Sequence, residues 1–395
     1  MKFGVVVPRY GGEAVGGAEK AMRMIAERLV AWHGWTVDVF TTCSESALTW
    51  EDVIDPGTTV VDGVTVHRYA SSAGRDPEWG LIAGRVEISP TTVDDTGQQL
   101  FIDRQGPLCP DMLEAAASSD AELVAFSPYL FYPAVRGVPM LGDRSILHGA
   151  AHDEPALHLD VMQHMYAAAG GLSYYTDAER DLAESLFPVS HKPKITLGLG
   201  IDEPDTTGDI TTVRETFGIG DRPYVVCVGR VENGKGARAL DGFFREYALR
   251  RNGDLALVFV GPASEQLDPH PDIIVTDRVD EATKHALVAG ALVSISPSAM
   301  ESFSMVILES WVAGTPVLVN AKCGATVEHA SRGQGGLWFD DYPSFEVALD
   351  RLVRDTALRD ALALNGLNYT VATFSWEAVI DRYVGFCRSM LAHRK

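Results

Sequence analysis

No apolar run in this 395-residue chain approaches the roughly 20 residues that cross a bilayer, so a membrane-spanning helix is not expected. The five cysteines (Cys43, Cys109, Cys227, Cys323, Cys387) are scattered, odd in number and never C-x-x-C spaced. That sets aside a disulfide framework or a cysteine zinc site and fits a reducing, cytoplasmic setting. Positive charge is scarce: 33 Lys and Arg face 54 Asp and Glu, a formal net charge of −21. Such a surface opposes non-specific attraction to nucleic acid or to an anionic membrane, and no nucleic-acid partner is expected. Three ligand signatures are also missing: the G-x-x-x-x-G-K-[ST] phosphate loop, the G-x-G-x-x-G dinucleotide fingerprint and H-E-x-x-H. The opening Met-Lys-Phe-Gly-Val-Val-Val-Pro has too short an apolar part for a signal peptide and reads as a strand.

What is present is a long run of alternating strands and helices, the mark of an α/β protein with parallel sheets. Phe3–Val7 is an apolar strand, followed by a glycine loop and a helix from about Ala18 to Trp32 with Ala21, Met22, Ile25, Ala26, Leu29 and Val30 on one side. Val37–Phe40 is a second strand, and Val60 to His67 reads as a hairpin turning at Asp62-Gly63. Residues 70–105, polar and Gly-rich, are expected to be a loop region. Further strands are expected at Leu123–Phe126, Ser145–Leu147, Gly171–Tyr175 and Ile195–Leu197. A polar, Thr-rich stretch from Asp202 to Arg222 follows, with the linker near 200–205. The alternation then restarts at Tyr224–Val228, Leu255–Val260, Ile273–Val275, Leu292–Ser296, Val317–Val319 and Leu337–Phe339, and a helix runs from Trp376 to Leu391. The expected domains are 1–200, joined by a crossover helix at about 376–395, and 205–375.

Four segments carry chemistry. Glu301-Ser-Phe-Ser-Met-Val-Ile-Leu-Glu309 sets two carboxylates around a helix start that follows a strand. Unpaired N–H groups of a first helical turn form an anion site there, and flanking carboxylates can bond sugar hydroxyls. Gly229-Arg-Val-Glu-Asn-Gly-Lys235-Gly places two cations and three glycines after a strand, so backbone and charge can both approach a diphosphate. Gly11, Gly12, Gly16 and Gly17 form the N-terminal loop, with Glu19 in the next helix's first turn. His148-Gly-Ala-Ala-His152-Asp-Glu-Pro follows another strand. Its two histidines have no third ligand at metal-site spacing, and no metal is expected.

Together these segments resemble retaining glycosyltransferases of family 4 (glycosyl transferases group 1), and the resemblance spans nearly the whole chain. It implies the GT-B fold: two Rossmann-like α/β/α domains facing each other across a cleft, with the terminal helix crossing back to the first. It implies transfer of a sugar from a nucleotide-diphospho-sugar, UDP ahead of GDP, to a small-molecule, saccharide or lipid-linked acceptor, without cofactor or obligatory metal. The residues it marks as catalytic are His152, Arg230, Lys235 and Glu301. Donor binding falls to Gly16, Gly17, Gly229, Gly261, Val279, Phe303, Ser304, Met305 and Glu309. Arg230 and Lys235 would hold the diphosphate, Glu301 and His152 the sugar, backbone around Val279 the base, and Glu309 the ribose. The common family form has glycine where this chain has Ser302 and Ser304. A GT-B sugar-nucleotide epimerase and a non-catalytic nucleotide-sugar-binding protein are the alternatives. His148, His158 and His164 are expected at or near the surface, and the oligomeric state is left open.

Overall fold

The computed structural model describes residues 1–11, 16–251 and 253–394. The chain divides into two compact units, 1–198 with 380–395, and 199–379. The sequence placed its linker near 200–205. The helix Trp376–His393 contributes its first turn to the second unit and the remainder to the first.

The first unit is built on an eight-stranded sheet. Its strands are β1 (Lys2–Val6), β2 (Thr36–Thr42), β3 (Gly57–Val61), β4 (Val64–Tyr69), β5 (Leu123–Phe126), β6 (Ser145–His148), β7 (Gly171–Tyr174) and β8 (Lys194–Thr196). They lie in the order β3-β4-β2-β1-β5-β6-β7-β8. All neighbours are parallel except β3 and β4, which form the expected hairpin. Its two-residue turn puts Asp62 and Gly63 at φ 50° and 80°, the left-handed pair that such a tight hairpin demands. β5 and, after Lys2, β1 are buried because helices cover both faces of the sheet, which is why Phe3–Val6 and Leu123–Phe126 read as apolar runs.

Residues 70–105 depart from the expected loop. They contain the helices Trp79–Ile88 and Asp95–Gln105. Gly80 and Gly84 disguise the first, yet Trp79, Ile82, Ala83 and Val86 recur at helical spacing and pack on the core. The second has its N-terminus capped by Asp94, whose carboxylate accepts the Gly97 N–H at 2.9 Å, and it buries Phe101 and Ile102 beside the polar Gln98 and Gln105. Polar composition concealed a helix whose buried glutamines are hydrogen-bonded or close against the core.

The second unit holds a fully parallel six-stranded sheet: β9 (Tyr224–Val228), β10 (Ala256–Val260), β11 (Ile273–Val275), β12 (Ser294–Ser296), β13 (Val317–Asn320) and β14 (Gly336–Phe339). The order β11-β10-β9-β12-β13-β14 reverses direction between β9 and β12. In open parallel sheets, loops leaving the carboxyl ends of the two strands at such a reversal diverge and leave a crevice for ligands. One face of this sheet packs on Leu240, Phe244 and Phe345, the other on Val213, Leu287 and Val288.

Candidate active site

The crevice predicted by that strand order is occupied by a pocket of about 140 Å³. Its walls come from the end of β9 (Gly229, Arg230), the loop bearing Lys235, the end of β12 (Pro297, Ser298), and Glu301, Ser304 and Met305. Six residues marked in the sequence therefore meet in one place: Gly229, Arg230, Lys235, Glu301, Ser304 and Met305.

Local backbone geometry explains the glycines. Gly229 leaves β9 at φ 135°, a conformation closed to side chains, and its backbone packs against Gly261. A Cβ on Gly261 would lie 2.3 Å from the Gly229 carbonyl oxygen, so Gly261 stands behind the pocket wall and lets β9 and β10 end side by side. Gly236, at φ 76°, follows Lys235, and a Cβ there would meet the Pro297 carbonyl oxygen at 2.6 Å. That close approach seats the cationic loop on the end of β12. Glu265 braces the same loop from outside, accepting the Asn233 N–H at 2.9 Å and the Arg238 Nε–H at 2.6 Å.

Across the pocket, Lys235 Nζ donates to Glu301 Oε1 at 2.8 Å. Lys235 is about one-third exposed, whereas Arg230 lies at the mouth with its side chain 60% exposed, 3.2 Å from Glu232. One cation is thus inside and the other at the rim.

The helix Met305–Val312 begins at Ser304, which takes a left-handed conformation at φ 69°, ψ 79°. An L-residue pays roughly 1–2 kcal/mol there, a physical reason for glycine to be common at this position. Ser304→Gly is accordingly expected to raise the melting temperature by about 1–3 °C, the strain relieved exceeding the backbone entropy glycine adds to the unfolded chain. Calorimetry showing an unchanged or lower transition would contradict this. The helix is anchored by Ile307, Leu308 and Trp311, all buried, and the Trp311 indole donates to the Gly335 carbonyl at 2.9 Å.

The remaining marked residues of this unit lie off the pocket wall. The Phe303 side chain is buried edge-on against His329 (ring centroids 4.8 Å) and Phe374 (5.3 Å). Val279 is half-buried against the hydrophobic cluster on its face of the sheet. Glu309 sits one helical turn beyond Met305 on the same side and lies 3.3 Å from Lys284 Nζ. Lys284, absent from the sequence reading, also pairs with Glu281 at 2.6 Å. Burial alone would lower its pKa, but Glu309 and Glu281 outweigh that and raise it. Nothing in the sequence links Lys284 to a glutamate 25 positions away.

In the first unit, Gly16 and Gly17 precede and open the helix Gly17–His33. Glu19 is buried and accepts the Gly16 N–H at 2.9 Å and the Arg9 Nε–H at 2.9 Å, while Arg9 also reaches the Glu45 carbonyl at 3.1 Å. The acid of the Gly-Gly-Ala-Glu run therefore holds the loop's end in place. Gly12 lies outside the described residues. His152 is half-buried, its Nδ1 3.5 Å from Glu154 Oε1, which accepts the Tyr129 hydroxyl at 2.5 Å. Asp153 pairs with His158 instead, at 2.7 Å. His148, expected near the surface, is fully buried: its Nε2 is 2.7 Å from the Tyr383 hydroxyl of the terminal helix, and burial pushes its pKa down to about 3. Being the last residue of a central strand, it has no route to solvent. Among the described residues no group of three or more His, Cys, Asp or Glu is placed to hold a metal ion, and no helix is long and apolar enough to cross a membrane.

Comparison with solved structures places both units in the GT-B fold. HepE of Anabaena, solved in complex with UDP and glucose, superposes with a TM-score of 0.68 at 15% identity, over 98% of this chain and 100% of that one. Residues 222–355, which contain the pocket, match the family described as Glycosyl transferases group 1. Among curated relatives, the lipopolysaccharide core biosynthesis glycosyltransferase LpsE of Rhizobium meliloti is 32% identical over 42% of this chain and 49% of its own length. D-inositol 3-phosphate glycosyltransferase 1 of Catenulispora acidiphila is 27% identical over 65% of this chain and 68% of its own. The match thus spans about half the length of LpsE and two thirds of the second relative.

Proposed function

We propose that this protein is a retaining glycosyltransferase that takes a sugar from a nucleotide-diphospho-sugar, UDP-linked ahead of GDP-linked, and passes it to a saccharide, lipid-linked or other small acceptor. The observation that carries this reading is the Lys235–Glu301 pair inside the switch-point pocket, 2.8 Å apart. A cation and a carboxylate side by side match a ligand that is anionic at one end and hydroxyl-rich at the other. HepE's complex with UDP and glucose supports UDP as the nucleotide.

Charge accumulates on the diphosphate as its bond to the sugar breaks. Lys235 from within, Arg230 from the rim and the N-terminal dipole of Met305–Val312 would stabilise that charge. Glu301 would orient sugar hydroxyls while sharing Lys235 with the phosphate. Retention would follow from attack on the face the leaving group vacates, with the departing phosphate assisting the acceptor's proton loss. Incubation with a panel of UDP-, GDP- and ADP-sugars, followed by proton NMR of the released or transferred sugar, tests this. The account expects an α-linked donor to give an α-product. Inverted product, or no nucleotide release from any donor, would contradict it. UDP release without transfer to any acceptor would favour the epimerase alternative.

Two side-chain cations near the diphosphate remove the need for a divalent ion to neutralise it. Transfer is therefore expected to persist in EDTA; loss of turnover that Mg²⁺ or Mn²⁺ restores would sink metal independence.

A further inference from the structure

Glu179 is a buried carboxyl that the proposed chemistry does not use. It sits in the first turn of the helix Asp177–Leu186 and is 3% exposed. Its Oε2 accepts the Tyr175 N–H at 2.7 Å and its Oε1 the Ala151 N–H at 2.9 Å, and the Ala150 N–H bonds it as well. The groups facing it are the phenols of Tyr166, Tyr174 and Tyr175, all raised above the usual range chiefly by burial. Arg180, the next residue, pairs with Asp177 and Asp181. Burying such a group without a cation is costly unless hydrogen bonds satisfy it, and here backbone N–H groups do so.

Two of those bonds, from Ala150 and Ala151, come from the loop that presents His152. Ala150 is held at φ 54°, left-handed for a residue with a Cβ. Gly149 packs closely on the same pair of side chains: a Cβ there would lie 2.7 Å from the Tyr166 hydroxyl and 2.9 Å from Glu179 Oε1, so both would have to shift. A strained alanine, a closely packed glycine and a buried acceptor converge on three consecutive residues. Strain of this kind persists only where surrounding bonds over-determine it.

We propose that Glu179 is a positioning residue for His152: from beneath the loop it fixes the left-handed turn at Ala150–Ala151 and so sets where the imidazole stands. The inference rests on the glycosyltransferase reading only for the catalytic part expected of His152; the pin itself does not depend on it.

Glu179→Met is the sharpest test. Methionine keeps the length of the side chain and removes both acceptor oxygens, so the N–H groups of Ala150, Ala151 and Tyr175 lose that partner. Hydrogen exchange should show the amides of residues 149–152 losing protection roughly 10–100-fold. The kcat for donor turnover should fall at least about tenfold, while donor KM and UDP affinity stay within about twofold, because the nucleotide's proposed contacts do not include this loop. Unchanged protection of the β1 and β5 amides, in the same unit, shows that E179M has folded. Ala150→Gly keeps the N–H and relieves the strain, so its loop should remain as protected as wild type. Wild-type exchange or wild-type kcat in E179M overturns the proposal, as does loss of loop protection in A150G. Should wild type turn over no nucleotide-sugar, the transferase reading fails, and exchange alone decides the pin: lost protection in E179M upholds it and unchanged protection removes it.

Discussion

Lys235→Ala is expected to lower kcat by roughly 10²-fold or more while the chain stays folded. Lys235 is the cation inside the pocket, and on the proposed mechanism its attraction for the diphosphate would grow as negative charge builds in the transition state. An interaction strengthened only at that point appears in kcat rather than KM. The fold should tolerate the loss, because the Lys235–Glu301 pair is partly exposed and pairs of that kind contribute about 0–1 kcal/mol to stability. The pairing adds a second expectation. With Lys235 gone, Glu301 presents an uncompensated carboxylate to an anionic donor, so part of the damage is repulsion. Glu301→Gln placed on top of Lys235→Ala should therefore cost less than the two single losses combined. Folded Lys235→Ala with wild-type turnover would remove the diphosphate-clamp assignment and most of the proposed mechanism with it.

Glu309→Ala should fail differently. A ribose hydrogen bond made equally in ground and transition states affects KM for the donor and leaves kcat nearly intact. Its loss is expected to raise KM by about 10–100-fold, the equivalent of about 1.5–3 kcal/mol for a bond to a charged group. Lys284 complicates the substitution in a readable way. It would be left with Glu281 alone, part-buried and less well compensated. Glu309→Gln keeps an acceptor for the ribose while weakening the Lys284 contact, so its KM should fall between wild type and alanine. Steady-state kinetics on the three proteins decide it: a drop in kcat with unchanged KM in Glu309→Ala would place Glu309 outside the ribose site.

Much of this was legible from sequence because the parallel sheets are covered on both faces. β5, β9 and β10 are unbroken apolar runs, as is β1 after Lys2, and the residues that follow β9 and β12 fall at the switch point by topology alone. The Asp62-Gly63 hairpin was readable because its turn chemistry is local. What escaped were features created by packing between distant segments. The helix Trp79–Ile88 hides behind two glycines, and Asp95–Gln105 behind buried glutamines. His148 looks like any loop histidine until Tyr383 from the terminal helix closes over it. Lys284 and Glu179 bond groups 25 and 28 positions away, and no periodicity encodes those meetings. Gly261 was read as a ligand contact, whereas its φ of 143° and its clash distance to Gly229 already account for the residue type.

The central claim is that the pocket between β9 and β12 receives the diphosphate of a nucleotide. Calorimetric titration of UDP into the full chain, in EDTA and beside Lys235→Ala, tests it most directly. The account predicts saturable binding to wild type and about tenfold or greater weakening in the variant, the loss of one charge-assisted contact. Equal UDP affinity in both proteins, or no binding of UDP, GDP or ADP to the wild type, would contradict it.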